Sequence, residues 1–297
     1  MIPADVLRQI RRLRVRARRA VRATAGGEYR SAFRGAGLSF EEVRAYQPGD
    51  DIRAVDWNVT ARIGTPFVKR YAEERELTVL LVVDLSASLA FGTGRPTKRA
   101  VAGELAAVLA LTAAAHQDRV GWVGVTDRVE RLIPPGKGTR HAVRVVRDVL
   151  TAAPAHPGTD LAAGLAAVAR GRRRRSVVFV LSDFLGCAAD PRFAAAFRRA
   201  ARQHDVTAVR IADPVELAWP AAGLVALEDA ETGTQTVIDA GDPSFRRRFV
   251  ERSAADRDAF TLLARSAPAA VVEASTDGRH FDALAHLFET RGRRGPP

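Results

Sequence analysis

Asp84-Leu85-Ser86-Ala87-Ser88 places one carboxylate and two hydroxyls within five residues, directly after the apolar run 77–83. That run is continuous and too short for a helix, the pattern of a strand buried on both faces of a parallel sheet. Ligands of open α/β sheets bind just beyond the carboxyl ends of such strands. Two further loops offer the same chemistry: Pro157-Gly158-Thr159-Asp160 ahead of a helical stretch, and Ser182-Asp183-Phe184 after the apolar run 177–181. Asp84, Ser86, Ser88, Thr159 and Asp183 are all oxygen donors, and together they carry two negative charges. Such a set suits a hard divalent cation and not zinc, copper or iron. Small hydroxyl ligands and few carboxylates favour Mg2+ with retained waters over a closed Ca2+ cage; Mn2+ and Ca2+ are the other candidates. A plainer use exists for each residue, because Ser, Thr and Asp before helices cap the free N–H groups of the first turn. Capping accounts for Ser88 or Thr159 taken singly. It accounts neither for a carboxylate at a buried strand end nor for three loops bringing oxygen to one edge.

The elements that must hold these loops alternate along the chain. Residues 97–116, 139–151, 160–170, 191–203, 244–264 and 279–290 read as helices, and 77–83, 120–125, 177–181, 206–211 and 270–273 as strands. Residues 129–133 read as an edge strand, and 223–227 with 234–238 as a hairpin around Glu231-Thr232-Gly233. Parallel pairing needs crossovers, and crossovers are right-handed, so the expected fold is α/β, a doubly wound, mainly parallel sheet with helices on both faces over residues 77–290. Residues 28–76 read as a small β-rich subdomain punctuated by Gly35-Ala36-Gly37, Gln47-Pro48-Gly49-Asp50 and Ile63-Gly64-Thr65-Pro66. It is too short for a core of its own and is expected to bury Trp57 and Phe67 against a neighbour. Asp50, Asp51, Arg53, Asp56 and Arg62 around Trp57 would then form a polar docking seam or an interaction surface. Residues 1–27 contain eight arginines among Val6, Ile10, Leu13, Ala17 and Val21 at helical spacing. They predict a basic amphipathic helix, packed on its own domain or acting as an arm for anionic lipid or an acidic partner. Residues 291–297 are expected to fray.

Composition narrows the function classes. The 297 residues include 46 Lys and Arg against 34 Asp and Glu, a net charge of +12 that favours anionic partners. Only three of those cations are lysines and alanine is abundant, so part of the excess reflects coding bias. Cys187 is the one cysteine, which excludes an intrachain disulfide and a Cys-ligated zinc site and fits a reducing compartment. No signal-peptide core and no stretch of about 18 apolar residues occurs, so a cytoplasmic, soluble protein is expected. An Mg2+-dependent hydrolase or phosphatase-like enzyme is the main alternative. Against it, no second Asp follows Asp84 by two positions as in an aspartyl-phosphate enzyme, and His116, His141, His156, His204, His280 and His286 are scattered. The segment Gly92-Thr93-Gly94-Arg95-Pro96-Thr97-Lys98 lacks phosphate-loop spacing and reads as a helix start. Nucleic-acid binding through the arginine-rich segments is a further alternative. Arg172-Arg173-Arg174-Arg175 reads as a solvated connection, without an aromatic stacking platform. Binding, with no catalytic residues, is the expectation.

The Asp-x-Ser-x-Ser loop with a later Thr and Asp resembles the metal-ion-dependent adhesion site of the von Willebrand factor A fold. That resemblance implies that Asp84, Ser86 and Ser88, then Thr159, then Asp183 hold the ion, the last often through water. A wider set of motifs resembles the bacterial domain of unknown function 58 family over residues 5–290: Gly35-Ala-Gly-Leu-Ser-Phe, Arg44-Ala-Tyr-Gln-Pro-Gly-Asp-Asp, Val55-Asp-Trp-Asn, Ala61-Arg, Ala72-Glu-Glu-Arg-Glu, Asp84-Leu-Ser-Ala-Ser, Asp213-Pro214 and Glu231-Thr232-Gly233. Ser39 stands where that family often has Glu and Leu89 where it often has Met; neither is a ligand position. Other members carry a transmembrane hairpin that has no counterpart in this sequence. The resemblance implies a MoxR-type AAA+ ATPase as partner. The chain would act as an adaptor or co-chaperone whose bound Mg2+ takes a carboxylate from an acidic client.

Overall fold

The computed structural model describes residues 8–13, 15, 42–47, 52, 55, 57–70, 76–94, 96–171 and 174–294. The described residues between 42 and 76 form one compact unit, and those of 8–15 and 77–294 another. Most of the basic N-terminal segment, the first turn cluster, Ser39, Asp50, Asp51, Arg53, Asp56, Arg172, Arg173 and residues 295–297 lie outside the described residues. Within the N-terminal segment, residues 8–13 are helical (α1), with Arg8, Arg11 and Arg12 exposed and Ile10 and Leu13 buried in the core of the larger unit.

In the smaller unit, β1 (Glu42–Ala45) pairs antiparallel with β2 (Phe67–Arg70), Ala45 opposite Phe67. A helix, α2 (Trp57–Ile63), stands between them where a β-rich reading anticipated strand. Its end is fixed by Gly64 at φ 80°, a left-handed turn residue, and by Phe67 N donating to Thr60 Oγ1 at 3.1 Å. Trp57, expected to be buried, lies in the first turn of α2 and is 68% exposed, while Val68 on β2 is buried at 5%.

The larger unit runs β3 (Thr78–Asp84), α3 (Lys98–Ala115), β4 (Arg119–Val125), β5 (Val129–Lys137), α4 (Thr139–Leu150), α5 (Leu161–Gly171), β6 (Val177–Ser182), α6 (Pro191–Gln203), β7 (Asp205–Ala212), α7 (Pro214–Leu217), β8 (Leu224–Glu228), β9 (Gln235–Asp239), α8 (Pro243–Arg265), β10 (Ala269–Ser275) and α9 (His280–Arg294). Six strands form one sheet in the order β10-β7-β6-β3-β4-β5, parallel throughout except for β5. This is the doubly wound α/β fold that the pattern of elements and the family resemblance implied. β3 and β6 are buried at every position, which is why they read as unbroken apolar runs. Along β3 the side chains still alternate: Val79, Leu81 and Val83 join the core under α3, α4 and α9, while Leu80 and Val82 join the core under α5, α6 and α8. β5 continues through Pro134 and Pro135, beyond the expected stop at residue 133. An edge strand tolerates prolines because its outward N–H groups have no ladder partner to lose. α9 extends to Arg294, four residues into the segment expected to fray. Among the described residues, no helix is long and apolar enough to cross a membrane.

One close approach sets the height of a site loop. A Cβ at Gly164 of α5 would come within 2.6 Å of Val125 and 3.1 Å of Val82. Only glycine lets α5 lie this close to β3 and β4, and α5 carries the loop of Thr159 at its start.

Candidate metal site at the carboxyl edge of the sheet

Four neighbouring parallel strands end at one edge and deliver polar side chains there: β3 Asp84, β6 Ser182 followed by Asp183, β7 the following Asp213, and β10 the following Thr276. Asp84 is fully buried. Its Oδ1 accepts from Ser86 N at 2.9 Å and its Oδ2 from Ser182 Oγ at 2.6 Å. Ser86 stands at the start of a single 3-10 turn (Ala87–Ala90), yet its side chain makes no capping bond. Instead Ser86 Oγ lies 3.1 Å from Ser88 Oγ, and Ser88 Oγ donates to Asp183 Oδ2 at 2.9 Å. Thr159 is not used as a cap either. That task falls to Asp160, whose Oδ1 accepts from Ala163 N at 3.1 Å, so Thr159 Oγ1 is free to donate to Glu231 Oε1 at 2.8 Å.

Backbone contacts fix the loops to one another. Ala87 N donates to Pro157 O at 2.8 Å, joining the first and second loops, and Arg99 Nη2 donates to Leu85 O and Ser86 O, each at 2.9 Å. The third loop turns on Phe184, a non-glycine residue at φ 55°. Its ring is buried and stacks on Phe260 at 4.2 Å between centroids, while Asp183 immediately before it faces the rim. A backbone held in this sparsely populated region needs such packing to over-determine it. Ser88, Thr159 and Asp183 line one cavity of about 500 Å³, together with Asp160, Asp229 and Glu231.

The electrostatics are uneven. Burial, and then the Asp183 charge, push the Asp84 carboxyl up to about 6, against the hydrogen bonds from Ser182 and Ser86. Lys98, at 0% exposure, places Nζ 2.8 Å from Asp183 Oδ2 and also pairs with Glu216 Oε1. Burial alone would lower the ammonium pKa, but the two carboxylates outweigh it and the group is held above its ordinary value. Arg99 is lowered by burial, partly offset by Asp84. Burial, followed by the charges of Asp84, Asp183, Asp256 and Asp190, pushes the Cys187 thiol upward, the wrong direction for a nucleophile.

Of the five residues singled out by sequence, Asp84, Ser86, Ser88 and Asp183 form one continuous hydrogen-bonded chain. Thr159 joins Ser88 and Asp183 on the same cavity wall. Sequence reasoning missed Ser182, Lys98, Arg99 and Glu216. Ser182 was visible beside Asp183 and lacked only a reason. Lys98 closes the segment 92–98, which lacks phosphate-loop spacing, and nothing local ties it to Glu216, 118 positions away. Among the described residues, no group of three or more His, Cys, Asp and Glu side chains is arranged for a metal. The set here is two carboxylates with three hydroxyls, one carboxylate buried with few donors and a raised proton affinity. An all-oxygen set of this kind fits a hard divalent cation.

Fold and rim together define a doubly wound α/β domain with an oxygen-rich carboxyl edge. The chain belongs to the family described as "Protein of unknown function DUF58", whose model matches residues 42–259. It is 34% identical over 271 residues to the uncharacterized protein Rv1480 of Mycobacterium tuberculosis, covering 91% of this chain and 84% of that one. An uncharacterized protein of Mycobacterium avium, MAV169, is 32% identical over 167 residues, 55% of this chain and 95% of its own. Among solved structures, the conserved hypothetical protein BatB from Bacteroides thetaiotaomicron matches at a TM-score of 0.47 and 15% identity, over 73% of this chain and 99% of that one. The SpRpn10 VWA domain matches at a TM-score of 0.35 and 12% identity, over 73% and 95%.

Proposed function

We propose that the chain is a metal-dependent protein-binding adaptor or co-chaperone, not an enzyme. Asp84, Ser86, Ser88, Thr159 and Asp183 hold a divalent cation, Mg2+ ahead of Mn2+ or Ca2+. When bound, the cation supplies a Lewis-acid position for an anionic oxygen from a partner. The observation that carries this reading is Asp84: a carboxylate fully buried beside a second one, with two hydrogen-bond donors for its two oxygens. Such a charge is costly unless a cation joins it. The surrounding residues act as a scaffold. Ser182 and the Ser86 N–H aim Asp84, Lys98 restrains Asp183, and Arg99 ties down the loop backbone. Against catalysis stand a lining without histidine among the described residues and a Cys187 thiol that burial disarms.

The partners that fit are a client presenting an acidic residue and, by family resemblance, a MoxR-type AAA+ ATPase, working in the cytoplasm. Affinity capture from a bacterial lysate, in Mg2+ and in chelator, tests the reading. Partners retained in Mg2+ should be lost in chelator and lost with Asp84→Ala. Equal capture by the variant and by the chelated protein overturns it, as would robust Mg2+-dependent phosphatase or ATP turnover abolished by the same substitution.

A further inference from the structure

The β8–β9 hairpin carries an acidic residue that neither the fold nor the ligand set above uses. Among the described residues its two strands pair only with each other, and Leu224 and Val237 on them are 77% and 69% exposed. A lone two-stranded hairpin with so little buried surface has low local stability and can move at modest cost. Its turn, by contrast, has a defined shape. Asp229 Oδ1 accepts from Glu231 N at 2.8 Å and from Thr232 N at 3.0 Å, and Gly233 closes the turn at φ 71°. The result presents Glu231 to the rim cavity, where its Oε1 accepts a hydrogen bond from Thr159 Oγ1 at 2.8 Å. A carboxylate in contact with one ligand of a cation site occupies the approach that an incoming acidic residue must use.

We propose that Glu231 is the chain's own occupant of the partner position: a carboxylate held in cis that completes the cation's coordination and is displaced when a client's acidic side chain arrives. The inference rests on the cation reading of the rim. Tethered by a short hairpin, Glu231 competes at a millimolar-scale effective concentration, so weak carboxylates are excluded and only clients with additional contacts displace it.

Mn2+ is the probe, and its effect on water proton relaxation is the readout. The full chain, Glu231→Gln, Thr232→Ala and Asp84→Ala are compared. Glu231 is exposed, so its neutral isostere leaves the core untouched. Mn2+ bound to Glu231→Gln should relax water faster than in the wild type, because a water replaces the carboxylate. Added acetate should reverse that gain at concentrations about tenfold below those that affect the wild type. Thr232→Ala should behave as wild type. Equal relaxation and equal acetate response in wild type and Glu231→Gln overturn the assignment alone. A Thr232→Ala response matching that of Glu231→Gln overturns it as well, since hairpin disruption would then suffice. Mn2+ that binds neither protein, or binds Asp84→Ala as tightly as wild type, overturns the cation reading and this assignment with it.

Discussion

Two aspartates sit at the ends of β3 and β7, on the same edge with β6 between them, and their surroundings point in opposite directions. Asp213, after β7, accepts four hydrogen bonds: Thr93 Oγ1 and Val215 N on Oδ1, Thr93 N and Thr276 Oγ1 on Oδ2. Burial alone would raise its carboxyl, but these donors hold it below the ordinary carboxylate range. Its own N–H is taken by Glu216 Oε2, completing a capping box on α7. Asp84, the last residue of β3, has two donors and a neighbouring negative charge, and its carboxyl is pushed up to about 6. The same residue type at the same sheet edge is saturated with donors in one case and left short of them in the other. What separates them is the Asp183 charge beside Asp84 and how many N–H and O–H groups converge, not the aspartate itself.

The largest effect is expected where the two clusters meet. Lys98 bridges Asp183 of one and Glu216 of the other. Lys98→Met leaves both carboxylates without their buried counter-charge and should cost about 3–5 kcal/mol in urea denaturation in chelator. Part of that loss should return with Mg2+, and calorimetry should show Mg2+ binding more tightly to the variant than to the wild type. An unchanged Mg2+ affinity would mean that Lys98 does not compete for Asp183.

Next comes a pair of substitutions with opposite signs. Asp213→Asn turns an acceptor toward Thr93 N or Thr276 Oγ1 into a donor and should destabilise the chain by about 2–3 kcal/mol, with or without Mg2+. Asp84→Asn removes a buried charge whose folded-state pKa lies about two units above its unfolded value. It should stabilise the metal-free chain at neutral pH by about 2–3 kcal/mol while abolishing the increase in Tm caused by Mg2+. If both substitutions destabilise the metal-free chain alike, the contrast between the clusters is wrong.

The pH dependence is the finer form of that test. A carboxyl near 6 in the folded chain and near 3.8 when unfolded binds its proton more tightly in the folded state. Its contribution is therefore most favourable at low pH, falls as pH rises from about 4 through about 6, and is constant above. The stability difference between Asp84→Asn and wild type, measured in chelator, should rise from near zero at pH 4 to a plateau beyond about pH 6. A flat difference would sharpen the question of what else neutralises Asp84.

Much of this architecture was legible in the chain. The unbroken apolar runs of β3 and β6, the helical repeats between them and the turn at Glu231-Thr232-Gly233 place nearly every element of the larger unit within a few residues. Legibility failed where local preference was overruled or absent. α2 forms inside a segment read as β-rich, and Trp57, expected to be buried, stays exposed. The five oxygen donors were visible as types and spacing, but the bonding roles of Ser182, Lys98 and Glu216 were not, since a hydrogen bond spanning 98 or 118 residues leaves no trace in either neighbourhood.

The sequence by itself determined which side chains reach the carboxyl edge, because strand length and period decide which residue follows the last buried position. Only the tertiary structure decided what each does there. Whether an aspartate is saturated like Asp213 or left short of donors like Asp84 depends on groups that folding brings in from other strands and loops, and in a low-dielectric setting those groups set the charge it can carry.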